Sequence, residues 1–264
     1  MTRILNRFFI GLAVLVVAVG TAPSAADERI GVVLMHGKGG TVTPRSPVGL
    51  LAGALDDAGF LVATPDMPWS RSRYLAKTYE ESMAEIDAAV ERLKSEGAAK
   101  IVVGGHSMGA NAALGYAARR TGLAGVIAIA PGHAPELGRS HSLLGGSVKK
   151  AAELVAAGNG GNKGDFLDVN QGKTSTIRTR AEIYLSWFDP SGLAVMPRNA
   201  ADIRPDTPLL WVVGRLDRMF ARGEGYAFAK APANPKSSYV VVPGGHKATP
   251  VKGKKMIIDW LKSL

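Results

Sequence analysis

Short runs of aliphatic and β-branched residues alternate along this chain with longer stretches whose apolar positions recur every three or four residues. Arg29 to Leu34 (RIGVVL) reads as a buried strand. Residues 47–58 follow as a helix, with Val48, Leu51, Ala52 and Leu55 on one side and Gly59 closing it, and Phe60 to Ala63 is a second strand. Lys77 to Lys94 is the strongest amphipathic pattern: Met83, Ile86, Val90 and Leu93 share a face, and acids cluster early, where a helix dipole favours them. Lys100 to Val103 is a third strand, followed at once by a small-residue helix from Ser107 to Arg120. Gly125 to Ile129, Leu209 to Val213 and Tyr239 to Val242 supply three more strands, and a last helix covers Val251 to Leu261. This alternation predicts an α/β fold: a mostly parallel central sheet with helices on both faces.

The rhythm breaks between Gly132 and Pro205, where Gly145-Gly146 and Gly158-Asn159-Gly160-Gly161-Asn162 interrupt the pattern. A helix is expected from Ser147 to Ala157, while Ala181 to Phe188 (AEIYLSWF) suits either a helix or a strand. An excursion of this size between sheet strands reads as a cap over the strand ends, placed at 132–205 within a single domain. No internal repeat is present.

Residues 1–26 stand apart. Arg3 and Arg7 precede an apolar run from Phe8 to Val19, and small residues at Ser24 and Ala26 suit cleavage before Asp27. The run is shorter than the ~20 residues a membrane-spanning helix needs. It therefore predicts a cleavable signal peptide of the bacterial type, export to the periplasm or beyond, no integral membrane segment after cleavage, and a mature α/β domain at 27–264. The two arginines are separated, so no twin-arginine signal is expected.

Composition narrows the chemistry further. The chain has 264 residues and no cysteine, which excludes a disulfide framework and a thiolate nucleophile. Lysine and arginine number 32 against 22 acids, a formal charge of +10. Without Arg3 and Arg7 the mature chain is +8, and +6 of that lies in residues 206–264. No nucleic-acid module or basic–aromatic repeat accompanies the excess, so nucleic acid is not an expected partner. Lys247, Lys252, Lys254 and Lys255 read as a solvated basic helix face, with a bias towards anionic surfaces or substrates as the sharper alternative.

The strongest local signal is Gly105-His106-Ser107-Met108-Gly109, set between the strand KIVVG and the helix SMGANAALGYAARR. A strained strand–turn–helix with serine at its tip and glycines two residues either side is a nucleophile elbow. Such a serine needs a base and an acid to orient that base. Asp217 follows the strand LLWVV, and His246 follows the next strand in Pro243-Gly244-Gly245-His246. Both stand at the carboxyl ends of strands, where loops converge over an open α/β sheet. Asp189 and Asp202 could replace Asp217, but neither follows a clear strand.

With Ser, Asp and His in that order, the sequence resembles the α/β-hydrolase family from about Arg29 onward, apart from the irregular middle. The resemblance implies Ser107 as nucleophile, His246 as general base and then acid, and Asp217 as the group that holds the imidazole. It also implies an oxyanion hole from two backbone N–H groups: that of Met108, and that of Lys38 in His36-Gly37-Lys38-Gly39-Gly40, with Gly39 as the alternative. The loop lacks the spacing of a phosphate-binding loop. Trp69 and Arg71 are candidates to overlook the site, and Trp187 with Phe188 to form either cap core or substrate wall. His36 and His106 are expected as structural hydrogen-bonders. His133 and His141 lack metal-ligand spacing, so neither a metal nor a cofactor is expected.

The expected function is that of an exported serine hydrolase acting on a small-molecule ester through an acyl-enzyme. The dienelactone-hydrolase-like branch is nearest in size and layout, but serine stands at 107 where that branch uses cysteine, which favours a simple carboxylesterase. A peptidase or thioesterase would use the same residues, and a non-catalytic envelope or polyanion binder could be built on the same scaffold.

Overall fold

Six of the apolar runs pair into one parallel sheet in the computed structural model, which describes residues 29–264. The signal-peptide expectation for 1–26 lies outside the described residues. The body strands are β1 (Ile30–Met35), β2 (Leu61–Ala63), β3 (Lys100–His106), β4 (Gly125–Ile129), β7 (Leu209–Gly214) and β8 (Ser238–Val242), in the spatial order β2-β1-β3-β4-β7-β8. Strands covered on both sides read as continuous apolar runs, which is why they were conspicuous. In β1, Val33 and Met35 enter one core while Val32 and Leu34 enter the other. The first core lies under α2 (Tyr79–Ser95) and α3 (Met108–Ala117); the second lies under α1 (Pro47–Asp57) and α8 (Lys254–Lys262).

Local chemistry marks the helix ends. Ser46 Oγ accepts the Gly49 N–H at the start of α1, and Pro47 fills its first position, where no N–H is needed. Thr78 and Glu81 form a reciprocal capping box on α2. The expected last helix is two pieces, α7 (Thr249–Lys252) and α8, broken at Gly253, where a side chain would lie 2.9 Å from Val212.

The segment between β4 and β7, which are neighbours in the sheet, holds α4 (Gly138–Ala156), the antiparallel hairpin β5 (Lys163–Asn170) and β6 (Lys173–Arg180), α5 (Ala181–Phe188) and α6 (Met196–Ala201). The helix expected at Ser147 begins at Gly138, and AEIYLSWF is helical, burying Ala181, Ile183, Tyr184, Trp187 and Phe188. The hairpin was not expected. Its turn, Gln171-Gly172, places both residues at positive φ, as a tight two-residue connection requires. Among the described residues no helix is long and apolar enough to cross a membrane.

Candidate active site

Strand β3 runs straight into α3 through Ser107, whose backbone sits at φ 58°, ψ −116°. A non-glycine residue there is strained by about 1–3 kcal/mol, and the surroundings hold it in place. Its N–H donates to Ile129 O at 3.0 Å, and its carbonyl accepts from Gly132, Ala110 and Asn111. The flanking glycines are steric necessities: a Cβ on Gly105 would lie 2.5 Å from the Gly109 carbonyl carbon, and one on Gly109 would lie 2.7 Å from the carbonyl oxygens of Met35 and His36. Gly132, three residues past the end of β4, carries no sequence signal of its own. A Cβ there would stand 2.8 Å from Ser107 Oγ and 3.5 Å from His246 Cε1, so this glycine keeps the space between the two side chains open.

His246 and Asp217 arrive from the ends of β8 and β7. Their loops are fastened together by Leu216 N–H donating to Gly244 O at 3.0 Å and Arg215 N–H donating to Val242 O at 2.8 Å. The His246 Nδ1–H donates to Asp217 Oδ2 at 2.7 Å, and Asp217 Oδ1 accepts the Met219 N–H at 2.9 Å. Burial works against this carboxylate, but the bonds from His246 and Met219 outweigh it and hold Asp217 below the usual carboxylate range. The other ring nitrogen, His246 Nε2, is buried and has no hydrogen-bond partner among the described residues. Ser107, Asp217 and His246 line one cavity of about 410 Å³.

Two further histidines act as braces. His106 Nε2–H donates to the His246 carbonyl at 3.0 Å, and the two rings lie 4.8 Å apart. Burial, then the neighbouring His246, lowers the His106 pKa to about 4, so the ring is neutral. His36 donates from Nδ1 to Gly37 O and accepts the Met67 N–H on Nε2. That nitrogen therefore carries no proton, and Asp66 at 3.9 Å is no ion-pair partner. Burial lowers the His36 pKa in the same sense.

The loop after β1 separates the oxyanion candidates. The Gly39 N–H donates to Trp69 O at 2.8 Å, so this amide is already engaged and the Gly39 alternative is corrected. The Lys38 N–H has no acceptor among the described residues, and Met108 opens α3, where first-turn N–H groups lack intrahelical acceptors. Both residues line the cavity with Ser107.

The Lys38 side chain does something the sequence did not disclose. Its Nζ meets Asp168 Oδ1 of β5 at 2.5 Å and donates to Val169 O at 3.1 Å, while Tyr74 donates to Asp168 Oδ2 at 2.6 Å. Burial opposes ionisation of Asp168, but the Lys38 charge and the bonds from Lys38 and Tyr74 outweigh it, so its pKa is lowered. His133, beside this pair, donates from Nε2 to Trp187 O; burial, then the Lys38 charge, lowers its pKa to about 3. Alternation of Phe166 with Asp168 on the inner face of β5 was the available signal, but half of it is polar.

Two pocket expectations are corrected. Trp69 and Trp187 are fully buried, 5.4 Å apart edge to face, and line neither cavity beside Ser107. The Trp69 Nε1–H donates to His36 O and that of Trp187 to Lys77 O, so both polar tips are used inside the core. Phe188 does reach the first cavity, and Arg71 lines a second one, of about 580 Å³, that shares Ser107 and His246 with the first.

A model of the alpha/beta hydrolase family matches residues 32–251. No curated protein matches the chain in sequence. Among solved structures, a highly thermostable carboxyl esterase from Bacillus coagulans is similar at 16% identity and TM-score 0.66, over 90% of this chain and 91% of that one. A monoacylglycerol lipase from Paleococcus ferrophilus is similar at 23% identity and TM-score 0.61, over 88% and 94%. Est1E from Butyrivibrio proteoclasticus, solved with ferulic acid, is similar at 16% identity and TM-score 0.60, over 91% and 92%.

Proposed function

The chain belongs to the alpha/beta hydrolase family, and from that premise we propose that it is a serine hydrolase cleaving small ester substrates through an acyl-enzyme. The observation that carries this reading is His246: one ring nitrogen is held by the buried Asp217 at 2.7 Å, the other is buried without a hydrogen-bond partner among the described residues, and the residue lines the same cavity as Ser107. An imidazole fixed on one side and free on the other is built to accept a proton.

In this mechanism Ser107 Oγ attacks the ester carbonyl carbon as its proton passes to His246 Nε2, and Asp217 stabilises the resulting imidazolium. The negative charge on the former carbonyl oxygen is met by the N–H groups of Met108 and Lys38. Collapse breaks the bond to the alcohol, which leaves with the proton from His246. Water then gives a proton to His246 and attacks the acyl group; the bond to Ser107 Oγ breaks as His246 returns that proton to it, releasing the acid and restoring both side chains. The likeness to a carboxyl esterase and a monoacylglycerol lipase favours an ester over an amide. The signal-like segment at 1–26 supports an exported enzyme whose mature chain starts at Asp27, which N-terminal sequencing of the exported protein tests.

Hydrolysis of short p-nitrophenyl esters tests the reading. Wild type should turn them over, and Ser107→Ala, folded by circular dichroism, should lose about 10⁴-fold or more in kcat. Equal rates for the two would overturn it.

A further inference from the structure

The two clefts that meet at Ser107 and His246 differ in character. The first has an apolar floor of Met108, Leu137, Leu144, Val169 and Phe188. The second runs along the loop after β1 and has Arg45, Arg71, Lys173 and Lys247 on its walls, with no aspartate or glutamate among them. None of these four charged ends has an ion-pair or hydrogen-bond partner among the described residues. Several cations elsewhere on the surface are paired, as in Arg73–Glu85, Arg92–Glu96, Arg120–Asp87 and Lys255–Asp259, while Lys163, Lys230 and Lys252 stand on separate elements rather than sharing either cleft. Of the 20 acids among the described residues, only Asp217 lines either cleft, and His246 already occupies it. Arg139, Arg218 and Arg222, on the first cleft, add charge of the same sign without an ion-pair partner among the described residues.

Unbalanced cations on a concave wall repel one another and focus a positive potential into the cleft, a cost that an anion relieves. An ester bonded at Ser107 places one substituent in each cleft, because the clefts meet there. The apolar floor suits an acyl chain and the basic cleft suits a charged alcohol. We propose that the substrate is an ester whose alcohol part carries a permanent negative charge, a phosphate or a carboxylate, held in the second cleft by Arg45, Arg71, Lys173 and Lys247. This rests on the serine-hydrolase reading. The four cations share one cleft with the nucleophile, which favours a small anionic ester over an anionic surface. Lys252, Lys254 and Lys255, which continue the basic run of the sequence, line neither cleft.

The test compares monobutyryl glycerol with monobutyryl glycerol 3-phosphate, which share an acyl group and differ in the charge of the alcohol. With wild type at low ionic strength, kcat/KM for the phosphate ester should exceed that for the neutral ester by about tenfold. The ratio should fall towards one in about 0.5 M salt. In an Arg45→Gln/Arg71→Gln variant, whose replaced side chains are exposed, it should drop at least about threefold at low salt. A ratio near one, from an enzyme that hydrolyses both esters, would overturn the proposal and leave the hydrolase reading standing. A preference that persists in the variant would overturn the assignment to this cleft. Binding to anionic lipid vesicles without any preference between the two soluble esters would also overturn it, and would assign the cations to a membrane surface. Absence of turnover of either ester, with no labelling by a fluorophosphonate, would defeat the hydrolase reading beneath it.

Discussion

Two buried carboxylates each hold a nitrogen-bearing residue that lines the cavity at Ser107, and they do different work. Asp217, at the end of β7, binds His246 at 2.7 Å and leaves the far nitrogen of that ring unpartnered. Asp168, on the inserted hairpin, binds Lys38 at 2.5 Å, and every strong donor in that cluster is used: Lys38 also reaches Val169 O, and Tyr74 also reaches Asp168. The first pair is open on one side, so it can take up a proton from outside. The second is closed and ties the loop after β1 to an insertion 130 residues away in sequence. Between these two pairs, the one with a ring nitrogen left over is placed for chemistry and the one with none is placed for architecture.

Replacing each acid by its amide separates the two roles. Asp217→Asn should lower kcat by about 10³–10⁴-fold with KM changed less than about threefold, because the imidazolium loses its counter-charge and the ring its tautomer. Steady-state kinetics on one ester measures this, with circular dichroism confirming the fold. Asp168→Asn leaves the Lys38 charge buried without its counter-charge and should cost about 3–5 kcal/mol in urea unfolding. Its kcat per folded molecule should fall about tenfold or less. Combining Lys38→Met, Asp168→Leu and Tyr74→Phe should recover most of that stability, since an apolar cluster of similar volume escapes the desolvation penalty. If the amide at 168 abolished turnover at unchanged stability, the contrast between the pairs would collapse.

Acid should reach both regions through their histidines. The unfolded His106 binds a proton near the ordinary value of 6.5, while the folded ring resists protonation until about pH 4. Between those values the unfolded chain holds the extra proton, so stability is full above pH 6.5 and is lost as pH falls towards 4. The contribution of this ring is about 3 kcal/mol at most, from about 1.36 kcal/mol per unit. His133 adds a loss of the same sign. Urea midpoints at pH 7 and pH 4.5 should show the drop, and His106→Asn should flatten it. At the small end, Arg178→Ala breaks the exposed Arg178–Asp165 pair on the outside of the hairpin and should change stability by no more than about 0.5 kcal/mol.

The sheet was legible because its strands are buried on both faces and so appear as unbroken apolar runs; β4 matches its expected span from Gly125 to Ile129. Ser107, Asp217 and His246 stood out as candidates because each follows such a run within four residues, and Asp217 and His246 are in contact. The hairpin was not, because its four buried positions are Phe166, Asp168, Ile177 and Thr179. Two of the four are polar, so the alternation that marks a half-buried strand cancels in any hydrophobic reading. Lys38 could be placed in the right loop but not paired, since no local pattern links it to Asp168. Trp69 and Trp187 show the opposite failure: a large aromatic near a site looks the same in sequence whether it walls the cavity or, as here, packs beneath it.

The central claim is that Ser107 is a nucleophile activated by a histidine held from behind. Labelling the folded protein with a fluorophosphonate, followed by intact mass and peptide mapping, tests it most directly. One adduct per chain on the peptide containing Ser107, abolished in Ser107→Ala and strongly slowed in His246→Ala, is the expected result. A folded wild-type protein that stays unlabelled, or carries its adduct on another residue, would contradict it.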